Sequence, residues 1–310
     1  MKKYCLLFLI FLLFACKQKD EDVTQEQLKE FTKTVEGVAF KMIRIEKVKK
    51  TPLGKGTGKE RIVTLSPFYI METEVTQELY KAVTGLSPSS FDGISVGKET
   101  PQGEVQGKRP VETVNWYEAV LFCNKLTEKI MGNTDECVYM ITDMEEEEGK
   151  IVDAKVTYDM KKLGFRLPTE AEFEYAARGG NENLVFAGGN YTISDPTGEE
   201  HALPPLKEVA WFNKNSNSAT HEVAKKKPNG YGLFDMSGNV MEWCNDFYVK
   251  PIPENVEKDP VGTDEDTGSH TCKGGGYGFG GYSSCTVTAR SANVSYSCAD
   301  DMGFRVVCRL

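Results

Sequence analysis

From Asn229 to the C terminus the chain interrupts every developing register within a few residues. Asn229-Gly-Tyr-Gly, Met236-Ser-Gly-Asn, Lys273-Gly-Gly-Gly-Tyr-Gly-Phe-Gly-Gly and Tyr282-Ser-Ser follow one another, with aromatic residues set among Gly, Asn and Ser. Glycine weakens helix and strand interiors, while Asn and Ser bond nearby backbone and so favour turns. A stretch of this kind predicts loops and brief strands, ending on a strand at Val306-Val307. The fold must therefore get its order from packing of large side chains.

Upstream the local signals are firmer. Apolar alternation in Arg61-Ile-Val-Thr-Leu65, then Phe68-Tyr-Ile-Met71 after Ser66-Pro67, predicts two extended segments. Thr76 is placed to cap a short helix with Leu79, Tyr80 and Val83 on one side and Gly85 as its stop. Residues 86–110, rich in Gly, Ser and Pro, predict a long loop. Asn115 and Glu118 form a capping box for a second helix, with Val120, Leu121 and Leu126 on its apolar side, ending near Lys129. Val138-Tyr-Met-Ile-Thr142 and Lys155-Val-Thr-Tyr158 predict a hairpin, whose run Glu145-Glu-Glu-Glu148 before Gly149 reads as a solvated tip in preference to a cation site. Thr169-Glu-Ala-Glu172 opens a third capped helix to Arg178, stopped by Gly179-Gly180. With no repeat and no dividing linker, residues 36–310 are expected to form one α+β domain.

The first residues bear on the compartment. Lys2 and Lys3 precede an apolar run from Leu6 to Phe14, too short to span a bilayer and suited to a signal peptide. Ala15-Cys16 follows, a small residue before a cysteine as in a bacterial lipobox, so residues 1–15 are expected to be cleaved and Cys16 to carry lipid. An ordinary secretory leader with an incidental cysteine is the alternative. Residues 16–35 are expected to be a polar tether, and the domain to be anchored to the outer membrane at the cell surface, with the periplasmic side as the other option.

Charge narrows the partners. The chain has 37 basic and 46 acidic residues, net −9, and loss of the leader with its two lysines takes it to −11. No basic stripe is present, so nucleic acid is not expected. With Cys5 in the leader and Cys16 lipidated, Cys123, Cys137, Cys244, Cys272, Cys285, Cys298 and Cys308 remain, an odd set without CxxC spacing. His201, His221 and His270 lack ligand-like spacing and are expected in exposed loops. Arg166, Arg178 and Arg305 are expected to brace loops by pairing with carboxylates or carbonyls. Trp116, Phe173, Tyr175, Phe234 and Trp243 are expected to anchor the core.

Six motifs occur in one order: Phe68-Tyr-Ile-x-x-x-Glu74-Val-Thr76; Pro110-Val-x-x-Val-Asn115-Trp116; the run Gly164-Phe-Arg-Leu-Pro-Thr-Glu-Ala-Glu-Phe-Glu-Tyr-Ala-Ala-Arg-Gly-Gly180; Asn229-Gly-Tyr-Gly-Leu-Phe-Asp235-Met-x-Gly-Asn239-Val-x-Glu242-Trp243; Lys273-Gly-Gly; and Gly303-Phe-Arg-Val. Together they resemble the formylglycine-generating-enzyme (sulfatase-modifying-factor) family over nearly the whole mature chain. The resemblance implies a C-type-lectin-like fold with little regular secondary structure. It also implies that catalysis would need a cysteine pair, four residues apart, shortly after the Arg/Lys-Gly-Gly motif, with thiolate as copper ligand. Phe279 and Ser284 stand at those two positions, and Cys285 is the only cysteine between Cys272 and Cys298, so no enzymatic activity and no copper are expected. The resemblance further implies a calcium loop, with Asp235 and Glu242 as carboxylate ligands and Gly238 and Val240 as carbonyl ligands. Read from the residues alone, the two carboxylates serve equally well as caps on backbone N–H groups.

Residues 276–301 lie between the flanks Lys273-Gly-Gly and Gly303-Phe-Arg-Val, and their Tyr, Ser and Gly content suits a binding surface of rigid rings beside small adaptable donors. Tyr277, Phe279, Tyr282, Ser283, Ser284, Thr286, Ser295, Tyr296 and Ser297 are the expected contacts with a protein ligand, against the alternative of a Gly/Ser loop with incidental tyrosines. Taken with the anchor and the fold, this segment is similar to the variable proteins of diversity-generating retroelements, above all the variable lipoproteins of treponemes. That resemblance implies a diversified C-terminal surface on a constant scaffold. The expected function is a surface-displayed, non-catalytic ligand-binding lipoprotein of receptor or adhesin type. A metal-dependent oxidoreductase of the formylglycine-generating or sulfoxide-synthase type is the alternative, and a periplasmic assembly factor a third reading.

Overall fold

Capping chemistry starts three helices where their sequences predict. Thr76 accepts a hydrogen bond from the Leu79 N–H to open α1 (Gln77–Thr84), which stops on Gly85 at φ 81°. Asn115 and Glu118 cap each other reciprocally at the head of α2 (Trp116–Met131), as do Thr169 and Glu172 at the head of α3 (Glu170–Arg178). The computed structural model describes residues 29–57, 60–250, 256–263, 265–278 and 281–309. Cys16 and Phe279, and with them the lipid anchor and one expected ligand contact, lie outside the described residues.

Two further helices are α4 (Glu199–Val209) and the single turn α5 (Gly281–Ser284), with a 3-10 turn at Gln106–Lys108. The strands, in chain order, are β1 (Glu30–Val35), β2 (Val38–Ile45), β3 (Val48–Leu53), β4 (Arg61–Leu65), β5 (Phe68–Met71), β6 (Tyr139–Glu147), β7 (Lys150–Tyr158), β8 (Phe165–Arg166), β9 (Met241–Phe247), β10 (Val256–Lys258), β11 (Ser269–Lys273), β12 (Ser291–Val294), β13 (Met302–Gly303) and β14 (Val307–Cys308). An antiparallel sheet in the order β1-β2-β5-β14-β8 brings the two ends of the domain together. A second sheet runs β10-β4-β3 and a third β12-β11-β9-β13, while β6 and β7 form the expected hairpin with Glu145, Glu146 and Glu147 exposed near its tip.

Phe68-Tyr-Ile-Met71 reads as an unbroken apolar run because its strand is covered on both faces. Tyr69 and Met71 join a cluster with Phe40, Met42, Leu79, Tyr80, Phe122, Leu126 and Phe304, whereas Phe68 and Ile70 join Ile43, Ile45, Phe173 and Ala176. α1 and α2 therefore pack on one side of the five-stranded sheet and α3 on the other. A third cluster holds Phe186, Leu206, Phe212 and Cys285.

Two expectations are corrected here, on the tether and on two histidines, and one helix is added. The tether read over 16–35 is too long, because β1 occupies Glu30–Val35 and Val35 is buried. Its charged residues lie on an edge strand where most side chains face out, so the composition resembles a linker. α4 carries Pro204 and Pro205, which disguise a helix that buries Ala202, Leu206 and Val209. His221 and His270 are buried, not exposed: the His270 ring stacks on Trp116 with centroids 3.7 Å apart, and burial pushes its pKa down to about 3. Of the expected core aromatics, Trp116, Phe173 and Trp243 are buried, whereas Tyr175 and Phe234 are half-buried.

Asp246 in β9 yields a pH prediction. Burial, reinforced by the nearby Glu170 carboxylate, raises its pKa to about 7, while its Oδ2 accepts a 2.9 Å hydrogen bond from the Glu170 N–H. For an acid raised in the folded state, the stability it contributes is complete below the unfolded value and is lost as pH climbs through the folded one. Wild-type melting temperature should therefore lose this contribution between about pH 4 and 7. Asp246→Asn should melt close to wild type at pH 4 and above it at pH 8; a variant no more stable than wild type at pH 8 would contradict the assignment.

Candidate ligand-binding face

The motif residues are taken up by the scaffold. Trp116 Nε1 donates to the Cys244 carbonyl and Trp243 Nε1 to the Val114 carbonyl, each at 3.0 Å, so the head of α2 and β9 are tied together twice. Arg305 grips Glu242 through Nε and Nη2 at 2.7 and 2.8 Å, both side chains wholly buried, and Nη2 also donates to the Phe234 carbonyl. The Glu74 carboxylate accepts from Asn239 Nδ2 at 2.7 Å and the Val240 N–H at 3.0 Å. Asn229 Nδ2 donates to the Ala176 carbonyl at the end of α3, where Gly179 sits at φ 59° and a Cβ on Gly230 would lie 2.2 Å from the Gly179 oxygen. Arg166 makes a bidentate pair with Glu172, and Arg178 binds Glu174. The arginines thus act as braces.

Residues 276–301 have a different character at their roots and at their outward positions. Tyr277 is buried: its N–H donates to the Asn239 carbonyl at 2.8 Å, its own carbonyl accepts from Ser216 Oγ at 3.0 Å, and its hydroxyl donates to Asp300 at 2.9 Å. Its ring meets Phe91 edge-on at 5.2 Å. Ser295 is likewise buried, with its Oγ 3.0 Å from His270 Nδ1 and its carbonyl accepting the Trp116 N–H. Tyr277 and Ser295 are therefore corrected from ligand contacts to supports. Both are drawn inward by partners far away in the chain, which local composition does not reveal.

The other expected contacts face outward to different degrees. Ser283 is exposed, Tyr296 is 58% exposed, and Tyr282, Ser284, Thr286 and Ser297 are half-buried. Tyr282 packs on the third cluster, beside the buried Cys285, whose carbonyl accepts a 2.7 Å hydrogen bond from Ser237 Oγ. These residues do not form one knot. β12, roughly 10 Å long, separates residues 282–286 from Tyr296 and Ser297 along the chain and pairs Ser291 with Cys272 at one end and Val294 with Ser269 at the other. A cavity of about 190 Å³, bordered by Met241, Gly276, Ser284, Ala289, Arg290 and Ser291, opens beside Ser284.

A family model described as the sulfatase-modifying factor enzyme 1-like domain matches residues 22–310. The chain belongs to this family. Among solved structures, Treponema denticola variable protein 1 superposes with a TM-score of 0.76 at 37% identity, covering 91% of this chain and 99% of that one. The chaperone protein LppX of Paenibacillus barcinonensis is 32% identical over 285 residues, 83% of this chain and 85% of LppX. The formylglycine-generating enzyme of Mus musculus is 36% identical over 147 residues, which span 46% of this chain and 38% of the mouse protein. The α+β architecture of this sulfatase-modifying-factor relative is thus shared with its structural neighbours, as the motif series implied.

The two carboxylates expected as calcium ligands are engaged with protein groups here. Both Glu242 oxygens are occupied by Arg305, and Asp235 Oδ2 accepts the Ala224 N–H at 2.8 Å, leaving Asp235 Oδ1 as a buried oxygen without a partner. The Arg305 guanidinium supplies positive charge to Glu74, Asp235 and Glu242 alike, the role a divalent ion would otherwise take. As placed, Asp235 caps the Ala224 N–H and Glu242 pairs with the Arg305 side chain, an arrangement that differs from the ligand set the resemblance implied.

Sequence reading missed Phe91, Lys98, Ser216 and Asp300, which hold the segment's root. Lys98 Nζ is 2.5 Å from Asp300, and no signal in either stretch announces the pairing.

Proposed function

We propose that the chain is a lipid-anchored, surface-displayed, non-catalytic protein that binds a protein ligand with the outward residues of 276–301. One observation carries this reading: the family motifs are used up in bracing the scaffold, while Tyr296, Ser283 and the partly exposed Tyr282 and Thr286 stand on a segment rooted at Tyr277 and Ser295. Tyrosine exposed on a firmly seated segment brings contact area at low entropic cost. The name of the chaperone protein LppX, a relative over most of both chains, supports the same reading.

Several features argue against the oxidoreductase alternative. Phe279 and Ser284 stand where the family's cysteine pair belongs. The adjacent Cys285 is wholly buried and its thiol is pushed up to about 12, so it is protonated at neutral pH and a poor copper ligand. Titration with copper(I) should show no tight stoichiometric binding; such binding, or oxygen uptake in the presence of a cysteine-containing peptide, would overturn the non-catalytic reading.

Among the described residues no helix is long and apolar enough to cross a membrane, and the proposed anchor is the lipid on Cys16. Cells grown with a labelled fatty acid should label the wild type and not Cys16→Ser, and protease added to intact cells should digest the wild type. Label persisting on Cys16→Ser contradicts the anchor, and protection from protease places the domain on the periplasmic side.

A further inference from the structure

Loop 86–105 exposes four aliphatic side chains, of which Leu86 and Val105 stand at its ends and are about half covered, while Ile94 at 87% and Val96 at 97% exposure lie almost wholly in solvent. The latter two stand on a braced turn, not a slack one. Asp92 Oδ1 accepts the N–H groups of Ile94 and Ser95 at 2.9 and 2.8 Å, and Asp92 Oδ2 accepts Ser95 Oγ at 2.6 Å. The Gly93 N–H donates to the Lys98 carbonyl at 3.1 Å, and the Lys98 N–H to the Ser95 carbonyl at 2.9 Å. Below the turn, Arg109 is wholly buried and donates to the Lys98 and Glu99 carbonyls at 3.3 Å. Exposing Ile and Val opposes the hydrophobic effect, and a turn preorganised around such exposure lowers the entropic cost of binding.

The turn adjoins the C-terminal segment. Lys98 Nζ reaches Asp300 and lies 3.9 Å from the Phe91 ring centroid, and Phe91 packs edge-on against Tyr277, itself bonded to Asp300. We propose that Ile94 and Val96 form a fixed apolar arm of the ligand-binding face, inserting into a hydrophobic recess on the same protein ligand that residues 276–301 contact. The inference rests on the proposed function and adds a chemical requirement on the partner: an aliphatic recess beside the surface met by the tyrosines. A lipid surface suits the arm less well. Asp92 and Glu99 flank it with negative charge, and the neighbouring Lys98 is already paired with Asp300.

The test is photo-crosslinking on intact cells with p-benzoylphenylalanine placed singly in the full chain at Ile94, Ser283, Tyr296 and, as a control by the opposite end of α2 from Ser295, the exposed Leu163. The expected result is one protein joined from position 94 and from 283 or 296, and not from 163. An Ile94→Ser/Val96→Ser double variant should then lose about tenfold or more of that adduct, crosslinked from 283 or 296, with an unchanged melting temperature. Adducts from 283 or 296 without the same protein at 94 would overturn the arm and leave the proposed function standing. No protein adduct at 283 or 296 would overturn both. Lipid joined at position 94 would overturn the arm in favour of a membrane contact.

Discussion

Arg305→Met is expected to cost the domain about 3–5 kcal/mol, the range for leaving one partner of a buried ion pair uncompensated. That is a large share of the roughly 5–15 kcal/mol that holds a typical domain together, so the variant should unfold at a clearly lower urea concentration than wild type. The expectation rests on what surrounds the guanidinium. Glu242 loses both of its hydrogen-bond donors, and Glu74 and Asp235, already raised by burial and by mutual repulsion, lose the cation that offsets them. Asp235 stands at about 6 even with Arg305 present. Without it, all three acids should favour their neutral forms, so the deficit should shrink as pH falls through the values raised further by the loss. Glu242→Leu combined with Arg305→Met should recover part of the loss, because two matched apolar side chains carry no desolvation penalty. Urea unfolding at pH 8 and pH 5 measures both effects. A loss below about 1 kcal/mol for Arg305→Met at pH 8, in the range of an exposed pair, would show that the guanidinium is not the electrostatic centre described here.

The second large effect separates scaffold from surface. Trp243→Ala and Trp116→Ala should each cost about 3–5 kcal/mol of stability, since each removes a buried ring together with an indole N–H that ties β9 to the head of α2. Tyr296→Ala should change stability by no more than about 0.5 kcal/mol, as exposed substitutions generally do. At an interface centre the same truncation weakens binding by about 2 kcal/mol or more. Tyr277→Ala belongs with the tryptophans, because its ring and hydroxyl are occupied by Phe91 and Asp300. Thermal unfolding of the four variants decides the matter before any ligand is known. If Tyr296→Ala unfolds as readily as Trp243→Ala, the exposed ring is part of the core's support and the proposed face is wrong.

Features encoded within a few residues were legible in the sequence. Capping pairs three residues apart set the starts of α1, α2 and α3, glycines in left-handed conformations set their ends, and the hairpin showed through its alternation and its acidic tip. The motif series likewise indicated the family and the braced arginines, because spacing along a chain is itself a local quantity. Burial and electrostatic partnership depend instead on residues brought together from distant parts of the chain. Tyr277 and Ser295 read as surface tyrosine and serine until Ser216, Asp300 and His270 are placed against them. Glu242 has the spacing of a calcium ligand, and only the arrival of Arg305, 63 positions later, takes both its oxygens. Ile94 and Val96 are unremarkable in sequence, because exposure is decided by what else folds over a side chain, and here nothing in the described structure does.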